Sequence, residues 1–356
     1  MAKIHQKRLY FSKIETNLEM KINVLVTGAS GYIGSMLVYF LSQKDYIGKI
    51  YALDVKEPKF LWKPNEKIVF VKKNLVDNWE EEIKEKVDVV FHLAFWIRRP
   101  FFNLKRHIYE NRYGFEKLLD FCKKNSVKKI IIAGSIAVYG AKKENDPKIF
   151  FKESDPLKED VYLYGKEKIE MENQAKIFSE ENKNIKIIIL RLATVTGPFA
   201  QKIFKKEGLL KIIKAFPFFV ILSSDNSLRQ YVHEDDVISA FLFFLEKDID
   251  SNFEIFNVAP YSFVYFKDIA KILKKKIIKI PFILLKIAFR SLWYFSLGKI
   301  PTSPGSENSY TFPIVVDNTK ITSLGFKFKY SSLEAFLGKK GYFAELFAPQ
   351  SDNNFK

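Results

Sequence analysis

One octapeptide, Thr27-Gly28-Ala29-Ser30-Gly31-Tyr32-Ile33-Gly34, constrains this chain more than any other stretch. It follows a compact apolar run at 23–27 and opens a helical pattern at 33–42. Gly28 permits a tight turn, Gly31 lets backbone approach a pyrophosphate, and Gly34 lets the helix pack closely on the strand. A helix starting at such a turn aims its unpaired N–H groups and the positive end of its dipole at an anion. Glycine spacing alone is weak. Here it lies between a strand and a helix, and Asp54 ends a second strand twenty residues beyond Gly34, which completes a dinucleotide fingerprint. A carboxylate there accepts hydrogen bonds from both ribose hydroxyls of NAD and repels the extra phosphate of NADP. NAD is the expected cofactor, with Lys56 nearby softening the preference.

Beyond that turn, short β-branched runs alternate with longer helical patterns. Strands are predicted at 49–55, 67–71, 87–94, 129–133 and 185–192, and helices at 104–124 and 162–179. Near-continuous apolar strands separated by helices specify a parallel sheet covered on both faces. The fold class is α/β, a doubly wound parallel sheet of the Rossmann type. After Pro198 the alternation weakens into helical pieces at 205–215, 235–246 and 266–275 and one more strand near 254–258. This implies a smaller, less regular C-terminal substrate domain over one sheet edge. The expected division is an extension at 1–20, a NAD-binding domain at 21–198 and 228–258, a substrate domain at 199–227 and 259–340, and a tail at 341–356. Ligands of such folds bind outside the carboxyl ends of the strands.

Composition narrows the partners. The 356 residues carry 58 Lys and Arg against 41 Asp and Glu, a net charge of +17. Only eight of the 58 are Arg, a pattern of solvated Lys faces rather than the clustered Arg of a nucleic-acid binder. No nucleic-acid partner is expected; anionic small substrates and a membrane surface stay open. The single cysteine, Cys122, excludes a disulfide scaffold and fits a cytoplasmic location. The four His are scattered, so no metal is expected. The first twenty residues lack the apolar run of a secretory signal. No uninterrupted apolar stretch reaches the length of a spanning helix; the nearest, 281–298, is broken by Lys286 and Arg290. Two readings of it stay open: a core helix, or a membrane-surface helix with Trp293 and Tyr294 at headgroup level.

A second constellation lies further along. Tyr164 and Lys168 are four apart, so on a helix both project from one face. An ammonium beside a buried Tyr stabilises the phenolate, and such a Tyr can act as general acid or base near neutrality. Ser135, at the end of the strand expected at 129–133, offers a hydroxyl to hold a reacting oxygen. Each signal alone is common. Their order behind a nucleotide fingerprint is not.

With these residues in place, the chain resembles the extended short-chain dehydrogenase/reductases, in particular the NAD-dependent epimerase/dehydratase branch typified by UDP-galactose 4-epimerases. The resemblance spans about 21–330 and includes Phe91-His92-Leu93-Ala94, Asn111 with Gly114, Ser135 with Tyr139, Arg191, the stretch Arg229 to Val237, and Phe256-Asn257-Val258-Ala259. It implies Ser135, Tyr164 and Lys168 as the catalytic set, with Asn111 supporting the lysine through a water. It implies cofactor contacts from Gly28, Ser30, Gly31, Tyr32, Ile33, Gly34, Asp54, Leu75, Leu93 and Ala94, with Lys168 on the nicotinamide ribose. Phe95, Ser135, Tyr139, Thr194 and Arg229 would meet the substrate, Arg229 at a diphosphate. Asp235 or Asp236 would cap the following helix, and His92 would be structural. Helices 104–124 and 162–179 resemble a pair that builds a homodimer interface in the family.

Departures matter as much. Thr194 stands where many nucleotide-sugar enzymes have Asn, and Phe95 and Trp96 are bulkier than the pattern expects. Ile136 and Ala137 occupy the places where dehydratases carry an acidic pair, so elimination of water is not expected. The leading expectation is a NAD-dependent sugar-nucleotide epimerase-like oxidoreductase with a small-molecule substrate. The alternatives are a dehydrogenase or reductase of a hydrophobic alcohol, steroid-like or lipid-linked, and a non-catalytic NAD-sensing protein.

Overall fold

The computed structural model describes residues 21–59, 61–203 and 219–346. The expected extension at 1–20, the helix at 205–215 and the tail from 347 lie outside the described residues.

Seven parallel strands form the central sheet. From β1 (Ile22–Thr27), β2 (Ile47–Asp54) and β3 (Ile68–Lys72) step outward to one edge. The chain then crosses back to place β4 (Val89–His92) on the other side of β1, followed by β5 (Lys129–Ser135), β6 (Lys186–Leu192) and the strand Phe253–Val258. The order reverses between β1 and β4, where Thr27 lies opposite His92. Such a switch point opens a crevice at the carboxyl ends.

Side chains alternate across the strands, as the period of two requires. Val24, Val26, Phe91, Ile131 and Ile188 face one layer, which contains α1 (Tyr32–Ser42) and the helix Glu234–Glu246. Leu25, Val90, Ile130, Ile132 and Ile187 face the other, covered by α2 (Leu104–Lys124) and α3 (Leu163–Glu181). The C-terminal part holds a separate cluster around Tyr231, Phe266, Phe289 and Phe336, tied by two-stranded ladders.

Most boundaries fall within two residues of expectation, and three segments differ in ways that matter to the site and the surface. The strand predicted at 87–94 stops at His92 because Leu93 N–H bonds the Thr27 carbonyl (3.1 Å) and Ala94 N–H bonds the Thr27 hydroxyl (3.2 Å). The helix predicted at 266–275 ends at Ile272, and Lys274 turns left-handed at φ 55°. Within 281–298 a helix covers Phe282–Phe295, and only Leu285, Phe289 and Trp293 are buried. Trp293 lies under Phe101 and Arg99, so it cannot stand at a headgroup level as the membrane-surface reading required. The core reading holds for one face of this helix and fails for the other.

Candidate active site

The Gly turn is built by exclusion. Gly28 sits at φ +70°, and a Cβ there would lie 2.7 Å from Ala94 N. A Cβ on Gly34 would lie 2.0 Å from the Gly28 carbonyl oxygen, so the helix can approach its own turn only without a side chain. α1 starts at Gly31 with no side chain capping it. The Asp54 carboxylate braces the turn, accepting from Ser30 N–H (3.0 Å) and Lys56 N–H (2.9 Å), while burial pushes its pKa up. The Ser30 hydroxyl is buried with no hydrogen-bond partner among the described residues. Three side-chain-free positions, a helix N-terminus, an orphaned hydroxyl and a carboxylate twenty residues on suit the pyrophosphate and ribose of NAD.

Ser135 ends β5, and Tyr164 and Lys168 lie on α3 beside it. The structure therefore brings together the three residues that sequence spacing singled out. The lysine behaves differently from expectation. Its Nζ donates to the Ala133 carbonyl at 2.7 Å and lies 3.8 Å from the centroid of the Phe95 ring. Burial pushes Lys168 down to about 7, opposed by Glu172. Burial also raises the Tyr164 phenol, and the group that lowers it is Ser135, through a hydrogen bond. Burial thus outweighs the lowering expected for Tyr164.

A match to the family model described as "NAD dependent epimerase/dehydratase family" covers residues 24–259. The chain belongs to this family. NAD is accordingly its cofactor, and the Gly turn fits it. Among curated relatives, an uncharacterized protein of Methanocaldococcus jannaschii is 28% identical over 71% of this chain and 82% of its own length. A Bacillus subtilis protein named as an uncharacterized UDP-glucose epimerase is 31% identical over 61% of this chain and 70% of its own. The solved UDP-glucuronic acid 4-epimerase of Bacillus cereus, in complex with UDP-glucuronic acid and NAD, superposes with a TM-score of 0.67 at 20% identity. It covers 92% of this chain and 100% of its own.

Several carried-over residues of this epimerase/dehydratase family member occupy other places than expected. Tyr139 is fully buried, donating to Asn257 Oδ1 (2.8 Å) and accepting from Arg191 Nη1 (2.7 Å). Its hydroxyl and ring are enclosed. Asn111 spends its amide on the backbone of Trp96, accepting from its N–H (2.8 Å) and donating to its carbonyl (3.2 Å). These bonds pin the loop after β4. Leu75 is buried in the core against Gly114, and Ile33 packs on the core from α1. Leu93 and Ala94 lie over Gly28, as a cofactor groove would need. Thr194 bonds Gln230 through its backbone N–H. Arg229 donates from Nη2 to Ser309 O (2.6 Å), and its Nε is buried without a hydrogen-bond partner among the described residues.

His92 is buried at the end of β4. Its Nδ1 lies 2.9 Å from the Thr27 hydroxyl, its ring stacks on Phe115, and burial with the charge of Lys168 pushes it to about 3. The helix Glu234–Glu246 is capped by His233, whose Nδ1 accepts from Asp235 N–H, not by either aspartate. Asp236 instead receives Lys329 and Tyr330 N–H.

Glu234 is the residue that sequence reasoning missed. It accepts from the Tyr32 hydroxyl and from Phe199 and Ala200 N–H, which locks the first turn of α1 to the chain after β6. Burial raises it to about 7. Tyr32 therefore serves the turn with its backbone while its side chain is committed elsewhere. Among the described residues no group of three or more His, Cys, Asp or Glu is placed to hold a metal ion, and no helix is long and apolar enough to cross a membrane.

Proposed function

We propose that this chain is a NAD-dependent 4-epimerase of a nucleotide sugar. The observation that carries the reading is that Tyr164 and Lys168, on one helix face, both meet the Phe95 ring, with Ser135 at the end of β5 as the neighbour that lowers the Tyr164 phenol. When bound, NAD supplies the acceptor and donor of hydride. Tyr164, once ionised to the phenolate, takes the proton from a sugar hydroxyl and later returns it. Ser135 donates a hydrogen bond to the same oxygen, and Lys168 lies where it orders the ribose side of the site. Arg229 has an unused Nε for a substrate diphosphate. Phe95 and Thr194 shape the sugar side, and residues 199–227 and 259–340 form the substrate domain.

Water loss is disfavoured by the residues after Ser135. Ile136 and Ala137 offer no acid or base, and Ala137 uses its N–H on the Ser135 oxygen at 3.2 Å. The bulk of Phe95, 5.7 Å from Tyr164, favours a second reading, oxidation or reduction of a hydrophobic alcohol.

Incubation with UDP-, GDP- and dTDP-hexoses, followed by NMR of the sugar, separates the two. Interconversion of a 4-epimer pair with no net NADH supports the epimerase. Stoichiometric NADH release on an apolar alcohol, with no epimerisation, overturns it.

A further inference from the structure

Helix Phe282–Phe295 is apolar on both sides. Leu285, Phe289 and Trp293, four apart, are buried on its inner face. Its outer arc carries Ile283, Leu284, Ile287, Leu292 and Phe295, each more than 40% exposed and Phe295 90%. A surface helix ordinarily turns charged residues outward. Here its only charges, Lys286 and Arg290, sit together on one flank, and Arg290 leans towards buried Glu307 at 3.6 Å.

The loop after β4 extends this surface. The Phe101 ring packs on Trp293 at 5.0 Å, which brings Phe102, 66% exposed, beside the helix. The charge around both segments has one sign. Residues 269–306 contain eight Lys or Arg and no Asp or Glu, and residues 89–109 contain four and none. The short strand Lys276–Lys279, exposed along its whole length, supplies part of that cationic rim.

We propose that this face docks on the surface of a lipid bilayer bearing anionic headgroups. The outer arc would enter the acyl boundary while the Lys rim meets the phosphates. At 14 residues the helix is about 21 Å long, short of the ~30 Å hydrocarbon core, so it lies along the surface. A second copy is the poorer occupant, because a two-fold contact would press two cationic rims together. The same loop carries Phe95 against Tyr164 and Lys168, so docking would set the candidate site at the bilayer edge. The docking surface stands whichever substrate that site takes.

The test is sedimentation of the full chain with phosphatidylglycerol/phosphatidylcholine vesicles and with phosphatidylcholine alone, at low and high salt. Binding to the anionic vesicles is expected to be at least about tenfold stronger and to weaken by about tenfold at high salt. The variant Ile287→Glu/Phe295→Glu should bind at least about tenfold more weakly, with unchanged NAD binding and melting temperature. If that variant melts early, Phe295→Ser, at the most exposed position of the helix, carries the same readout. A wild-type chain that stays in the supernatant at low salt overturns the proposal. So does a folded variant that binds as well as wild type, or one that changes the oligomeric state in light scattering, which would assign the face to a second copy.

Discussion

The ammonium of Lys168 lies 3.8 Å from the centroid of the Phe95 ring, between that ring and the Ala133 carbonyl it donates to. An aromatic face and one carbonyl compensate an ammonium far less than water does. The lysine is thus held near its own protonation midpoint, at about 7, beside a tyrosine that burial keeps protonated. Burial drives the two pKa values apart, the lysine's down and the phenol's up, which puts two neighbouring titratable groups in different protonation states. With the proton on the phenol near neutrality, Tyr164 is placed to act as the acid of the pair.

Tyr164→Phe removes the acid–base group and leaves the ring packed on Phe95. Turnover should fall by roughly 10²–10⁴-fold, with NAD binding and melting temperature close to wild type. Steady-state kinetics beside a NAD titration check this. Retention of wild-type turnover would remove Tyr164 from the chemistry.

Gly34→Ala tests the turn. Its Cβ would meet the Gly28 carbonyl oxygen at 2.0 Å, and that oxygen belongs to a backbone already fixed under Ala94. Relief requires moving the turn or the helix, so stability should drop by about 1–3 kcal/mol. NAD affinity should fall at least about tenfold with it, read by calorimetry, since 1.4 kcal/mol is a factor of ten.

What could be read from the sequence is what is local. The turn, Asp54 and the Tyr164–Lys168 step depend on spacings of a few to some twenty residues, and the backbone alone places them. Ser135 was legible as a strand-end residue for the same reason. Glu234 was not, because its bond to Tyr32 joins positions 202 apart and leaves no periodic trace. The partners of Tyr139 were not legible for a related reason. Its hydroxyl is claimed by Asn257, 118 residues on, and by Arg191, which is itself held by buried Glu172. The apolar helix Phe282–Phe295 was ambiguous because hydrophobicity on every face does not say which face is covered.

The Arg191–Glu172 pair provides a test away from the chemistry. Both side chains are buried, and three of the guanidinium contacts go to Glu172. Glu172→Ala strands the cation, which costs about 3–5 kcal/mol when one partner of a buried pair is removed. Denaturant unfolding should show a loss of that size without a change of slope.

Oligomeric state follows from the outer faces of α2 and α3. Tyr109 and Tyr113 stack at 5.0 Å on the exposed side of α2, and Ile177 is 59% exposed on α3. A second copy meeting these helices would bury them, and we expect a homodimer at micromolar concentration. Light scattering should report twice the chain mass, reverting to one for Tyr109→Glu/Ile177→Glu. A wild-type monomer would refute it.

The pH dependence of stability tests the lysine itself. Burial pushes Lys168 down to about 7, against about 10.4 for a lysine in an unfolded chain. Between those values the unfolded chain binds the extra proton, so the lysine's contribution to stability grows as pH rises. That contribution is lost progressively as pH falls from about 10.4 to about 7, below which the folded protein binds the proton too and the loss stops growing. Lys168→Met keeps the apolar stem and removes the titration. Unfolding free energies measured without NAD, from about pH 6.5 to about pH 9, should show wild type gaining on the variant throughout that window. A constant difference between the two would mean that Lys168 stays charged on the Ala133 carbonyl across the window, and its depressed titration would be refuted.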